Sequence, residues 1–185
     1  NRSAQEKFQI LFIGSVTDRK KPHLIVEAMN LLNKDNIEFL IVGPTPNLKY
    51  LDSLKSLISS YALDDNVKFF GSVDRKRVKS FYSEVNLMIL PSVSEGLARV
   101  IFESQATACP VLVTDAPGMG DIVIEGQTGY IFESNSIESL ASKIKEVEEN
   151  YEEAVHKGSN AKDFILSNYS AENFKFSFKK IFDTV

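Results

Sequence analysis

Cysteine is nearly absent from this chain, with Cys109 standing alone among 185 residues. No internal disulfide can form, so a reducing compartment is the default and a cytoplasmic location is expected. Long hydrophobic runs are missing too. The longest, such as "FLIV" and "LMIL", fall far short of the roughly 20 residues a membrane-spanning helix needs. No charged, then apolar, then small-residue secretory leader opens the chain. There is no surplus of basic charge either. A formal net charge of −4 argues against a nucleic-acid partner, since such partners call for a basic surface. His23 and His156 lie far apart and no second cysteine exists, so no His or Cys pair has metal-ligand spacing. Two nucleotide signatures are also absent: no G-x-G-x-x-G follows the first apolar run, and no G-x-x-x-x-G-K-[ST] occurs. Dinucleotide dehydrogenases and P-loop NTPases are disfavoured accordingly.

What is present is a core. Apolar residues make up 43% of the chain, including 13 Phe, enough to exclude disorder. Short apolar runs alternate with helix-period stretches: "QILFIGS", "IEFLIVG", "VKFFGS", "LMILPS", "PVLVT" and "TGYIF" read as strands. Between them, "HLIVEAMNLL", "LDSLKSLISSYAL", "RVKSFYSEV" and "SIESLASKIKEVEEN" read as helices, the last capped by Ser136. His23, at the start of the first helix, reads as a surface or capping residue, and "RKRVK" at Arg75 to Lys79 as a solvated helix face. From Tyr151 onward two more helices are expected, near Tyr151 to Leu166 and Ala171 to Val185. The second carries a core-facing stripe of Phe174, Phe178, Ile181, Phe182 and Val185. This alternation predicts an α/β fold, with buried parallel strands and helices on both faces. Nothing divides the chain, so residues 1–185 read as one domain.

Open parallel sheets bind ligands beyond the carboxyl ends of their strands. The loops there are "GSVTDRKKP", "GPTPN", "GSVDR", "PSVSEGLAR" and "DAPGMG", each with Gly or Pro near its strand end. The fourth carries the most chemistry. With a helix beginning near Leu97, free amides of Gly96, Leu97 and Ala98 would point at the strand ends and suit a phosphate. Glu103 would lie about 9 Å along that helix, and Glu95 just before it. Ionised carboxylates accept hydrogen bonds only, so this pair suits a ligand rich in hydroxyl donors, a ribose on one side and a hexose on the other. Lys20 and its neighbours, from the first loop, would offset the phosphate charge.

"SEGLARVIFE" resembles the E-x7-E signature of retaining glycosyltransferases of the group 1 family (family 4), which have the GT-B fold. The resemblance runs from "FIGSVTDRKKPHLIVEAM" through "LIVG", "VKFFGSV", "FYSEVNLMILPS" and "ACPVLVTDAPGMGDIVIEGQTGYIF" to "NYSAENF". It implies one half of a GT-B fold: a Rossmann-like three-layer sandwich with a parallel sheet of about six strands and extra C-terminal helices. That half binds the nucleotide diphosphate sugar donor, while the N-terminal acceptor domain lies outside this chain. Carried over, Glu103 would hold the ribose hydroxyls, Glu95 the donor-sugar hydroxyls and Lys20 the diphosphate. The amides around Gly96, Leu97 and Ala98 would meet the distal phosphate and sugar, and Gly71 to Val73 the base; Arg99 is a further donor-site candidate, with pairing to a nearby carboxylate as its other reading. Gly14, Ser15 and Arg19 complete the donor site. The resemblance further implies no cofactor, no bound metal, and a glycan or lipid-linked glycan as acceptor. Any peripheral membrane contact would run through regions beyond this chain. The chain departs from the family pattern at Ser15, where Arg is frequent, which leaves Arg19 or Lys21 as substitutes. It departs also at Ala98, at "SQATACP" and at "PGMGD". A non-catalytic sugar-nucleotide-binding or partner-binding module and a GT-B sugar-nucleotide epimerase stay open as alternatives.

Overall fold

The structure, a computed structural model, describes residues 7–95 and 98–169. Six strands form one sheet: β1 (Phe8–Ile13), β2 (Ile37–Val42), β3 (Val67–Gly71), β4 (Leu87–Leu90), β5 (Val111–Thr114) and β6 (Tyr130–Phe132). Every strand pairing is parallel, and the order across the sheet is β3-β2-β1-β4-β5-β6. That is the order of doubly wound nucleotide-binding sheets, whose direction of progression reverses between β1 and β4. The helices are α1 (His23–Leu32), α2 (Leu48–Ser60), α3 (Arg75–Glu84), α4 (Arg99–Ala106), α5 (Ile137–Glu149) and α6 (Tyr151–Asn168). Among the described residues, none is long and apolar enough to cross a membrane.

The central strands are buried on both faces, as their unbroken apolar runs require: β2, β4 and β5 have no exposed residue. One carboxylate sits in this interior, Glu38 of β2. Gln9, its register partner on β1, donates to it at 2.8 Å, and Lys68 of β3 pairs with it. On the helix side, α1 buries Leu24, Ile25, Val26, Ala28 and Met29. Each large apolar side chain among them contributes about 1.5–3 kcal/mol on burial.

Three expectations are corrected. β3 is not a buried strand: it closes one edge of the sheet, only Val67 is buried, and Phe69 and Phe70 are 37% and 41% exposed. Apolar runs of edge and central strands look alike in sequence, because exposure depends on what lies beside them. α2 and α3 start earlier than their apolar periodicity, at Leu48 and Arg75, because Asn47 and Asp74 cap them by accepting from the amides of Tyr50 and Arg77. His23 does not cap α1 and is only partly at the surface. It is half-buried, with Nδ1 2.7 Å from the Tyr50 hydroxyl, and burial holds its pKa below the ordinary value. The basic run Arg75 to Lys79 does lie outward, with only Val78 half-covered. The expected 171–185 helix lies outside the described residues.

Candidate donor-binding site at the sheet switch point

The loops after β1 and β4 leave the sheet side by side at the switch point. After β1, Val16 is fully buried and its amide binds the Pro44 carbonyl at 2.8 Å, pinning the loop to the one after β2. The amides of Lys20 and Lys21 both reach the Thr17 carbonyl at 3.1 Å, a tight turn that holds up Arg19 and Lys20. Ser15 is half-buried beside Gly14. A Cβ on Gly14 would lie 3.8 Å from the Lys20 stem, so the lysine lies along this glycine. Gly43 (φ +139°) allows the tightest approach: a Cβ there would fall 2.1 Å from the Gly14 carbonyl oxygen.

Across the switch point, Thr114 at the end of β5 donates to the Ser92 carbonyl at 2.7 Å and fixes the loop after β4. Gly118 (φ +87°), in the loop after β5, is pressed against that loop, since a Cβ there would lie 2.9 Å from the Glu95 carbonyl oxygen. Lys20 Nζ donates to Glu95 Oε1. Arg19 donates to the Ser94 carbonyl at 2.8 Å and stands 3.6 Å from the same Glu95 oxygen. Burial pushes the Glu95 carboxyl up, but the Lys20 hydrogen bond and the charges of Lys20 and Arg19 outweigh it. The carboxyl stays below its ordinary value. Lys21 turns away to Asn135, so of the two candidate substitutes for the frequent first-loop Arg it is Arg19 that lies at Glu95.

Glu103 occupies a second cluster, between α3 and α4. Its Oε2 accepts from the Tyr82 hydroxyl at 3.2 Å. Both line a cavity of about 230 Å³ with Arg75, Val78, Lys79 and Thr107. Burial, then the Glu103 charge, pushes the Tyr82 phenol far up, so it stays protonated and a donor. Gly71 and Val73 precede α3. Gly71 faces open space among the described residues and its carbonyl accepts from the Gly43 amide at 2.8 Å, while Val73 is half-buried against the core.

The helix of the E-x7-E segment begins at Arg99, later than the expected start near Leu97, because Ala98 (φ −77°, ψ 72°) is outside the helical region. Glu103 is therefore four residues in, about 6 Å along the axis. The Ala98 side chain is buried, and Gly96 and Leu97 lie outside the described residues. Arg99 is exposed and makes no ion pair among the described residues. Three contributors escaped sequence reasoning: Ser94 through its carbonyl, Gly118 through its close approach, and Tyr82. The "PGMGD" loop hinted at Gly118. Nothing in "RVKSFYSEV" distinguishes a tyrosine that fills the core from one that also reaches a carboxylate.

Residues 1–164 match the family described as Glycosyl transferases group 1. The chain belongs to this family. A curated member, D-inositol 3-phosphate glycosyltransferase of Arthrobacter sp. (strain FB24), is 29% identical over 143 residues, 75% of this chain and 34% of that protein. The chain spans only 34%, 47% and 43% of the first three curated relatives. Among solved structures, Anabaena HepE in complex with UDP superposes with a TM-score of 0.91 at 20% identity, over 97% of this chain and 50% of that one. The C-terminal domain of the group 1 protein LpcC from Francisella tularensis gives a TM-score of 0.81 at 22% identity, over 89% of this chain and 87% of that one. The fold is thus that of the C-terminal half of a GT-B glycosyltransferase.

Proposed function

We propose that this chain is the donor-binding domain of a retaining glycosyltransferase, which moves a sugar from a nucleotide diphosphate sugar onto a glycan or lipid-linked glycan acceptor. The observation that carries this reading is the meeting of Lys20 and Glu95 at the switch point, 75 residues apart in sequence. A cation and a carboxylate held there suit a ligand that is both a diphosphate and a polyol. α4 has no side-chain cap hydrogen bond among the described residues and no acidic residue in its first turn, so no first-turn carboxylate opposes an anion at its terminal amides. The Lys20 ammonium and those amides would stabilise negative charge on the departing diphosphate, the largest electrostatic demand of the transfer. Glu103 would take the ribose hydroxyls and Glu95 those of the donor sugar. An N-terminal domain of the full-length protein would supply the acceptor side and the other wall of the cleft. HepE has been solved with UDP, which makes a uridine donor the first to test. Ser15, where Arg is frequent, keeps a second reading open, a module that binds the sugar nucleotide without transferring it.

Calorimetric titration with UDP, GDP and ADP and with their glucose-bearing forms tests the reading. One nucleotide should bind, and Lys20→Ala should weaken it about 10- to 150-fold, the range of hydrogen bonds to charged groups. No binding by any of the three, or an indifferent Lys20→Ala, overturns it.

A further inference from the structure

Glu103 is exposed on its helix, and a free glutamate samples many rotamers that a ligand must then reduce to one. The described structure restrains it from the neighbouring helix. Tyr82 of α3 is only 1% exposed, so its ring is locked in the core and its hydroxyl emerges at a fixed point on the cavity wall. That hydroxyl donates to Glu103 Oε2 at 3.2 Å. We infer that Tyr82 is a positioning residue for nucleotide binding: it holds one oxygen of Glu103 and so presents the other, toward the cavity, to a vicinal diol. The inference rests on the donor-site reading given above and adds the residue that orients the diol acceptor.

Three features favour this role over simple core filling. A phenylalanine would fill the same space, yet a polar atom is carried to the cavity edge. A carboxylate has about four lone-pair sites, so accepting from Tyr82 leaves enough to accept from both hydroxyls of a ribose. The phenol stays protonated, because burial and the Glu103 charge both push its pKa up; it therefore donates to the carboxylate and never repels it. Restraint before binding removes part of the ordering cost at binding, the usual origin of a preorganisation gain.

The test uses the whole chain as wild type, Tyr82→Phe, Glu103→Gln and the double variant. Each is titrated calorimetrically with UDP, GDP and ADP and with their 2′,3′-dideoxy counterparts, and circular dichroism checks the fold. For whichever nucleotide the wild type binds, Tyr82→Phe should weaken affinity about 3- to 10-fold. Its dideoxy counterpart should bind wild type and Tyr82→Phe alike. In the Glu103→Gln background the tyrosine substitution should add nothing, since the two act as one unit. Wild-type affinity in Tyr82→Phe overturns the positioning role. So does a loss shared equally by ribose and dideoxy ligands, or one that persists in the Glu103→Gln background, either of which marks a structural tyrosine. Failure of the wild type to bind any of the three nucleotides instead overturns the donor-site reading, and this inference with it.

Discussion

Lys20 has two claims on its ammonium. In the described structure it is held by Glu95, with Arg19 close by; a diphosphate at the α4 terminus would compete for it. Glu95 is thus an anion beside the place where an anion should bind. Glu95→Gln removes both the competition and the repulsion. Bare UDP, or whichever diphosphate the chain takes, should bind about 1.5- to 5-fold tighter to Glu95→Gln, the span of ordinary ion-pair energies. The glucose-bearing form should gain less, because glutamine is a poorer acceptor for sugar hydroxyls. Calorimetry reads both, and weaker binding of the bare diphosphate would contradict the competition. The same carboxyl predicts an acid response. Its folded pKa lies below the ordinary 4.5, so its stabilising contribution is complete above that pH and fades as pH falls through the folded value. Acid unfolding should therefore be less steep for Glu95→Gln than for wild type below about pH 4.5. Residue types at this site were legible in the sequence, since a loop carrying Arg-Lys-Lys and an E-x7-E spacing are local patterns. Which lysine meets which carboxylate was not, because that depends on how two loops 75 residues apart leave the sheet.

Strands and helices were legible nearly throughout, for a physical reason. Parallel strands buried on both faces are short continuous apolar runs bounded by Gly or Pro, while amphipathic helices are longer and repeat every 3.6 residues, so length, flanks and period together separate them. The misreadings fall where apolar period is not the deciding force. Polar caps at Asn47 and Asp74 set the starts of α2 and α3, and the edge position of β3 leaves it exposed among the described residues. Close approaches between loops are equally hidden, since they need the third dimension. Gly43 is the sharpest instance: its backbone has positive φ and a Cβ would sit 2.1 Å from the Gly14 carbonyl oxygen. Gly43→Ala should cost about 3 kcal/mol or more, combining backbone strain with overpacking. That lowers the melting temperature by about 6–12 °C for a chain of this size. Among the described residues Gly120 meets nothing within 4 Å, so Gly120→Ala is the control and should shift melting by no more than about 2 °C. Equal melting of the two variants would mean that the loops after β1 and β2 do not need to touch.

At the scale of the whole molecule, the candidate site is split between a largely buried ion pair and an exposed carboxylate. Lys20, Arg19 and Glu95 stand on one side at the carboxyl ends of β1 and β4, and Glu103 borders a cavity between two surface helices. Small-molecule sites bury most of their ligand, on the order of 70–90% of its surface. One wall of a cleft covers far less. The first three curated relatives are two to three times as long as the segment they share with this chain, at 34%, 47% and 43% coverage. The chain as it stands should therefore bind a nucleotide diphosphate sugar weakly, with a dissociation constant above about 10 μM. It should transfer no sugar, because the donor would be open to water and no surface would orient an acceptor. Incubation of the purified chain with UDP-glucose and a panel of glycans, read by mass spectrometry, checks the second expectation, and calorimetry checks the first. Measurable transfer would mean that the face carrying Lys20 and Glu95 suffices for the chemistry alone. The role assigned to a second domain would then shrink from completing the active site to selecting the acceptor.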